Sequence, residues 1–122
     1  MTVLDSSLWI DFFRGGSHQA TVLSLLSGAG QVLVPTVCLS EVLRFMEWTL
    51  SPADALRAAT AMRTQTVIDL TADLAMYSAR ICLRHRLPLA DSIIYATARM
   101  HGAGLWTMDT DFRGLAEVVF FE

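Results

Sequence analysis

Five short apolar runs, each too short to be a helix and separated from the next by helical patterns, confine this 122-residue chain to an α/β sheet architecture. The runs are Val3-Leu4, Val32 to Val34, Thr66 to Leu70, Leu105 to Met108 and Val118 to Phe121. Between the first two, Leu8-Trp9-Ile10 with Phe12-Phe13 suggests a short helix ended by Gly15-Gly16. A second helix carries Val22, Leu25 and Leu26 and stops at Gly28. Thr36 is expected to cap the next helix, which runs through Val37, Glu41, Phe45 and Trp48. Ser51-Pro52 is a cap followed by a first-turn proline, opening a helix to about Arg63. Thr71 caps a helix reaching His85, and Pro88 opens another from Leu89 to Met100 before Gly102 and Gly104. Strands apolar on both faces and alternating with helices predict one domain, residues 1–122. Its expected form is a three-layer sandwich, a mostly parallel five-stranded sheet with helices on both faces.

A composition of 53% hydrophobic and 17% charged residues excludes a disordered chain. The apolar excess predicts surface that a second copy or another protein covers, or else a dense core. The uncharged stretch from Gly15 to Ser40 is broken by glycines, serines and Pro35, short of the roughly 20 apolar residues a membrane span needs. No basic start with an apolar run and cleavage site precedes the domain, so a cytoplasmic location is expected. Cys38 and Cys82 have no metal-ligand spacing and read as free, buried thiols of a reducing compartment.

The chemistry lies in the acids. In open parallel sheets ligands bind beyond the carboxyl ends of the strands, and Asp5 and Asp109 fall there. Glu41 shares a helix face with Val37 and Phe45, where an unpartnered carboxylate costs several kcal/mol. Asp91 aligns with Ile94, Tyr95 and Ala98 on the helix opened by Pro88. Singly, Asp5 and Asp109 read equally as caps and Asp91 as a first-turn dipole partner, while Glu41 is harder to dismiss. Together, at about 5 Å spacing, each pair would repel by roughly 3 kcal/mol at an effective dielectric near 20, a set that calls for protons or a hard divalent cation. Oxygen-only ligands select Mg²⁺ or Mn²⁺ over zinc. Asp111 either joins this set or caps the short helix toward Gly114. His18, His85 and His101 share no spacing with the acids and read as surface or helix-end residues.

Four segments in order resemble VapC-type PIN domains: Val3-Leu4-Asp5-Ser6-Ser7; Val34-Pro35-Thr36-Val37 leading to Ser40-Glu41-Val42; Leu87-Pro88-Leu89-Ala90-Asp91-Ser92 leading to Ala96-Thr97-Ala98; and Thr107-Met108-Asp109-Thr110-Asp111-Phe112. The resemblance implies a PIN-like fold and a Mg²⁺ site, with Mn²⁺ able to substitute, made by Asp5, Glu41, Asp91 and Asp109. Ser6, Ser7 and Thr107 would support it. It further implies cleavage of structured RNA of the tRNA or rRNA class, a homodimer, and a VapB-like antitoxin that blocks the site. Bound metal would activate a water and neutralise charge on the phosphate.

The net charge of −3 is unusual for an RNA-binding chain, and a cation bound by the acids would reverse the local sign. Arg14, Arg44, Arg84, Arg86 and Arg99 are candidates for gripping RNA backbone. Trp9, Phe12, Phe13, Phe45 and Trp48 are candidates either for the core or for an antitoxin groove. All nine basic residues are arginine, and the absence of lysine excludes a phosphoacceptor receiver domain. No G-x-x-x-x-G-K motif is present, excluding a P-loop enzyme. The alternatives left open are a PIN-like module that binds RNA or a partner without cutting, and a nuclease acting on DNA.

Overall fold

The computed structural model describes all residues, Met1 to Glu122. Five strands, β1 (Thr2–Leu4), β2 (Val32–Pro35), β3 (Thr66–Ile68), β4 (Gly104–Thr107) and β5 (Val118–Phe120), form one sheet in the order β3-β2-β1-β4-β5. Every pairing is parallel. Six α-helices connect them: α1 (Ser6–Phe13), α2 (Gln19–Ser27), α3 (Thr36–Thr49), α4 (Pro52–Arg63), α5 (Ala72–His85) and α6 (Leu89–Met100). A 3-10 turn follows β4 at Thr110–Phe112. No helix is long and apolar enough to cross a membrane.

The sequence dictates this arrangement through burial. All four residues of β2 are buried, as are Val3 and Leu4 of β1, so both alternating side-chain sets of the central strands are covered by helices. The edge strands β3 and β5 are only partly buried, and Asp69, Leu70, Met108 and Phe121 of the expected runs fall outside the strands. Trp9 is fully buried in the core, stacked at 5.8 Å on Phe13, and is therefore no part of any groove. Phe12, Phe13 and Phe45 pack partly buried against that core, while Trp48 is 89% exposed.

Ser51 and Thr71 cap α4 and α5 as expected, accepting from the N–H groups of Asp54 and Leu74. Thr36 does not cap α3. The strand β2 runs into α3 with no intervening loop, so Pro35 takes the cap position and Thr36 is the first helical residue. Both cysteines are free, but Cys82 is only half-buried, its thiol donating to the Leu87 carbonyl at 3.2 Å.

Candidate functional site

From β1 the chain moves outward to β2 and β3, then returns to β4 beside β1 and continues to β5 on the other side. This reversal of winding opens a crevice at the carboxyl ends of β1 and β4, the position where such sheets bind ligands. Asp5 follows β1 directly and Asp109 lies two residues past β4.

A short hydrogen-bond chain ties the two strand ends together. Asp5 Oδ2 accepts from Ser7 Oγ at 2.7 Å and from Thr107 Oγ1 at 2.8 Å. The same hydroxyls accept in turn from the backbone N–H groups of Met108, at 3.0 Å, and Asp109, at 2.9 Å. Asp109 Oδ1 then accepts the Asp111 N–H at 2.9 Å and caps the 3-10 turn. Asp5 is buried, which pushes its carboxyl upward. The Ser7 and Thr107 hydroxyls pull it back down, and the Asp109 charge adds to the upward push.

Asp91, in the first turn of α6, lies in a different setting. Burial pushes its carboxyl up to about 8, helped by the charges of Asp109 and Asp5, by a hydrogen bond to Asp109 and by the charge of Asp111. Each of these causes disfavours the charged form and together they outweigh the favourable position of Asp91 at the start of α6. One carboxylate oxygen from each of Asp91, Asp109 and Asp111 lies within 4.8 Å of the others. Asp111 thus joins the acids more closely than its sequence position suggests. It does not cap the 3-10 turn, because it lies inside it and Asp109 holds the cap.

Glu41 stands at the flank. Ser6 Oγ donates to its Oε1 at 2.7 Å, and Glu41 shares a cleft with Arg44 and Ala90, the residue before Asp91. Beneath the acids lies Cys38, fully buried, its thiol pushed well up by burial and by the Asp5 charge, so it stays protonated and inert.

No arginine neutralises the cluster. The two ion pairs of the molecule, Arg57 with Asp54 and Arg113 with Glu122, lie elsewhere. None of the histidines joins either: His18 bonds the Glu122 carbonyl, His101 bonds the Thr97 carbonyl and His85 packs edge-on to Tyr95. An unneutralised set of oxygen donors without nitrogen or sulfur partners fits a hard divalent cation.

Of the arginines singled out in the sequence, Arg14 lies over the Phe45 ring at 5.6 Å and Arg44 lines the Glu41 cleft, both on the rim of the crevice. Arg84 lies in the last turn of α5 and Arg86 caps that helix in a left-handed backbone conformation, at the turn leading into α6. Arg99 sits in the last turn of α6, about 12 Å along the axis from Asp91. Sequence reasoning missed Asp11, whose Oδ2 accepts the His18 N–H at 3.0 Å and closes the α1–α2 turn. Its signal was the spacing of Ser7, Asp11 and Arg14, which places three polar residues on one face of α1.

The fold recurs among solved structures. A chain of a toxin–antitoxin complex from Klebsiella pneumoniae is 28% identical, with a TM-score of 0.84 over 98% of this chain and 96% of that one. VapC20 of Mycobacterium tuberculosis, described as a sarcin-ricin loop cleaving toxin, is 21% identical with a TM-score of 0.81, covering 97% of both chains. A chain of VapBC-5 from the same organism is 22% identical with a TM-score of 0.69, over 99% of this chain and 97% of that one. Comparison with curated protein sequences gives no match. The PIN domain model matches residues 2–118, and the chain belongs to the PIN domain family.

Proposed function

We propose that this chain is a Mg²⁺-dependent endoribonuclease, residues 1–122 forming one catalytic domain, that acts in the cytoplasm as the toxin of a VapBC-like pair. The observation that carries the reading is the unneutralised acid cluster at the winding reversal, in a fold whose similar structures include a toxin named for cutting the sarcin-ricin loop. Asp91, Asp109 and Asp111, whose oxygens lie within 4.8 Å of one another, would hold the ion together with Asp5 beside them, and Glu41 would stand at its periphery. Mn²⁺, which shares the preference for oxygen ligands, would substitute. When bound, the cation supplies a water of lowered pKa and charge neutralisation at the phosphate.

The residues of the chain do the rest. Ser7 and Thr107 fix the Asp5 carboxylate, so its orientation costs nothing when the ion arrives. Ser6 holds Glu41 in the same way. Arg14 and Arg44 would meet the RNA backbone on either side of the scissile phosphodiester, with structured tRNA or rRNA as the substrate class. Two of the similar structures come from toxin–antitoxin systems, which supports a VapB-like antitoxin for this chain as well; a homodimer is proposed with it from the apolar excess of the sequence. Trp48, Leu83 and Met76 are among the exposed apolar side chains that such partners would cover.

The test is incubation of the full chain with total RNA and with single-stranded DNA, with Mg²⁺, Mn²⁺ or chelator, alongside Asp5→Asn. Discrete RNA fragments that need metal and disappear in the variant are expected. Metal-independent cutting, cutting of DNA alone, or no cutting by a protein shown to bind Mn²⁺ would overturn it.

A further inference from the structure

Beside the acids lies a cleft of about 440 Å³ lined by Ser7, Ile10, Asp11, Arg14, Phe45 and Met108. We infer that this cleft is a nucleobase subsite, which receives an unstacked base next to the cleaved bond and prefers guanine. The inference rests on the ribonuclease reading above and adds to it the origin of base selectivity.

Position comes first. Ser7 belongs to both sites: its hydroxyl donates to Asp5 and accepts from Met108, and its side chain walls the cleft. A base seated there is therefore contiguous with a phosphate at the acids. Chemistry comes second. The Arg14 guanidinium, 5.6 Å above the Phe45 ring, forms with it one stacked platform on whose open face an unstacked base can lie, its N–H edge left for the neighbouring phosphate. Asp11 supplies the edge reading. Its Oδ2 is held by the His18 N–H, leaving Oδ1 to accept. Gly16 makes room for that oxygen, since a Cβ at Gly16 would sit 2.0 Å from Asp11 Oδ1.

A carboxylate accepts only, and guanine presents two adjacent donors on its Watson–Crick edge. Uracil offers a single donor flanked by carbonyls that the carboxylate repels.

The experiment uses the full chain in chelator, so that binding is read without cleavage. Fluorescein-labelled hexauridylate and its variants with one internal G, A or C are titrated by anisotropy. The G-containing hexamer is expected to bind about 10-fold more tightly than hexauridylate, the scale of one good edge contact. Asp11→Asn keeps an acceptor for His18 but loses the charge, and should bring all four hexamers within about twofold. Gly16→Ala, by displacing the same oxygen, should do likewise. Phe45→Leu should weaken all four together by loss of stacking.

Equal binding of the four hexamers by the unaltered chain would overturn the subsite. So would a guanine preference that survives both Asp11→Asn and Gly16→Ala in variants with unchanged circular dichroism. If those variants instead left RNA binding intact and weakened capture of a co-expressed antitoxin, the cleft would belong to the protein partner and the inference would fall. Cleavage of total RNA with metal distinguishes the two readings. Cutting without base discrimination removes the subsite alone. Discrimination without cutting removes the ribonuclease and leaves base recognition in place.

Discussion

Asp5 and Asp91 lie in one crevice and carry the same functional group, yet their surroundings oppose each other. Two hydroxyls clamp Asp5, each itself anchored by a backbone N–H. Asp91 faces Asp109, Asp111 and Asp5, and despite its place in the first turn of α6 its carboxyl is pushed up to about 8. One half of the site is built for the fold, the other against it. A half that raises the free energy of the metal-free protein is what a cation site looks like before the cation binds.

That contrast is open to attack from both sides. The largest expected effect is on RNA cleavage: Asp5→Asn and Asp91→Asn should each lower it by at least about 10²-fold, the scale of removing a group that stabilises charge in the transition state. Stability should split them. In chelator at pH 8.5, Asp91→Asn should melt higher than the unaltered chain, because a repelled carboxylate is gone. Asp5→Ala at pH 5.5 should lose about 1–3 kcal/mol, since the buried Thr107 hydroxyl and the half-buried Ser7 hydroxyl lose their acceptor. Matching shifts for the two variants in thermal melts would erase the distinction.

Next in size is Thr107→Val, which keeps the shape and removes one clamp on Asp5. Metal affinity, read by Mn²⁺ titration, should fall about 10- to 100-fold with the fold intact. An unchanged affinity would show that the clamp is structural only.

The dependence on pH follows from Asp91. A carboxyl whose pKa is raised in the folded state binds its proton more tightly folded than unfolded. Between its ordinary value of 3.8 and about 8, the folded chain therefore holds more protons, and stability falls as pH rises through that window. Metal-free protein should melt lower at pH 8.5 than at pH 5.5. Mg²⁺ should raise the melting temperature more at pH 8.5, and Asp91→Asn should flatten both trends. A melting temperature that climbs across the same window would contradict the assignment.

The smallest effect concerns the rim. Arg14→Ala and Arg44→Ala should each reduce the salt dependence of RNA binding by about one unit of log–log slope, whereas Arg99→Ala, at the far end of α6, should leave it unchanged.

Much of this was legible in the sequence because it depends on local rules. Apolar runs alternating with helical periodicity dictated the parallel sheet, and the acids at strand ends followed from where such sheets bind ligands. What escaped was set by how neighbouring elements join, turn and pack. The cap of α3 went to Pro35 because strand and helix join without a loop, which spacing does not reveal. Asp111 draws near Asp91 only through the turn that Asp109 caps. Asp11 gains its acceptor position from Gly16 and His18 across a turn. Trp9 and Trp48 read alike as helix aromatics, and only the packing sends one into the core and the other to the surface.

The central claim is that the opposed charges of Asp91 and its neighbours exist to hold a divalent cation that cuts RNA. The most direct test is to titrate Mn²⁺ into the full chain at pH 8 and follow bound metal and RNA cleavage in the same samples, for the unaltered protein and Asp91→Asn. Cleavage that rises in step with bound metal, with both shifted together to higher concentration or lost in the variant, is the predicted result. Metal binding undiminished in Asp91→Asn, or cleavage that proceeds before any metal is bound, would contradict it.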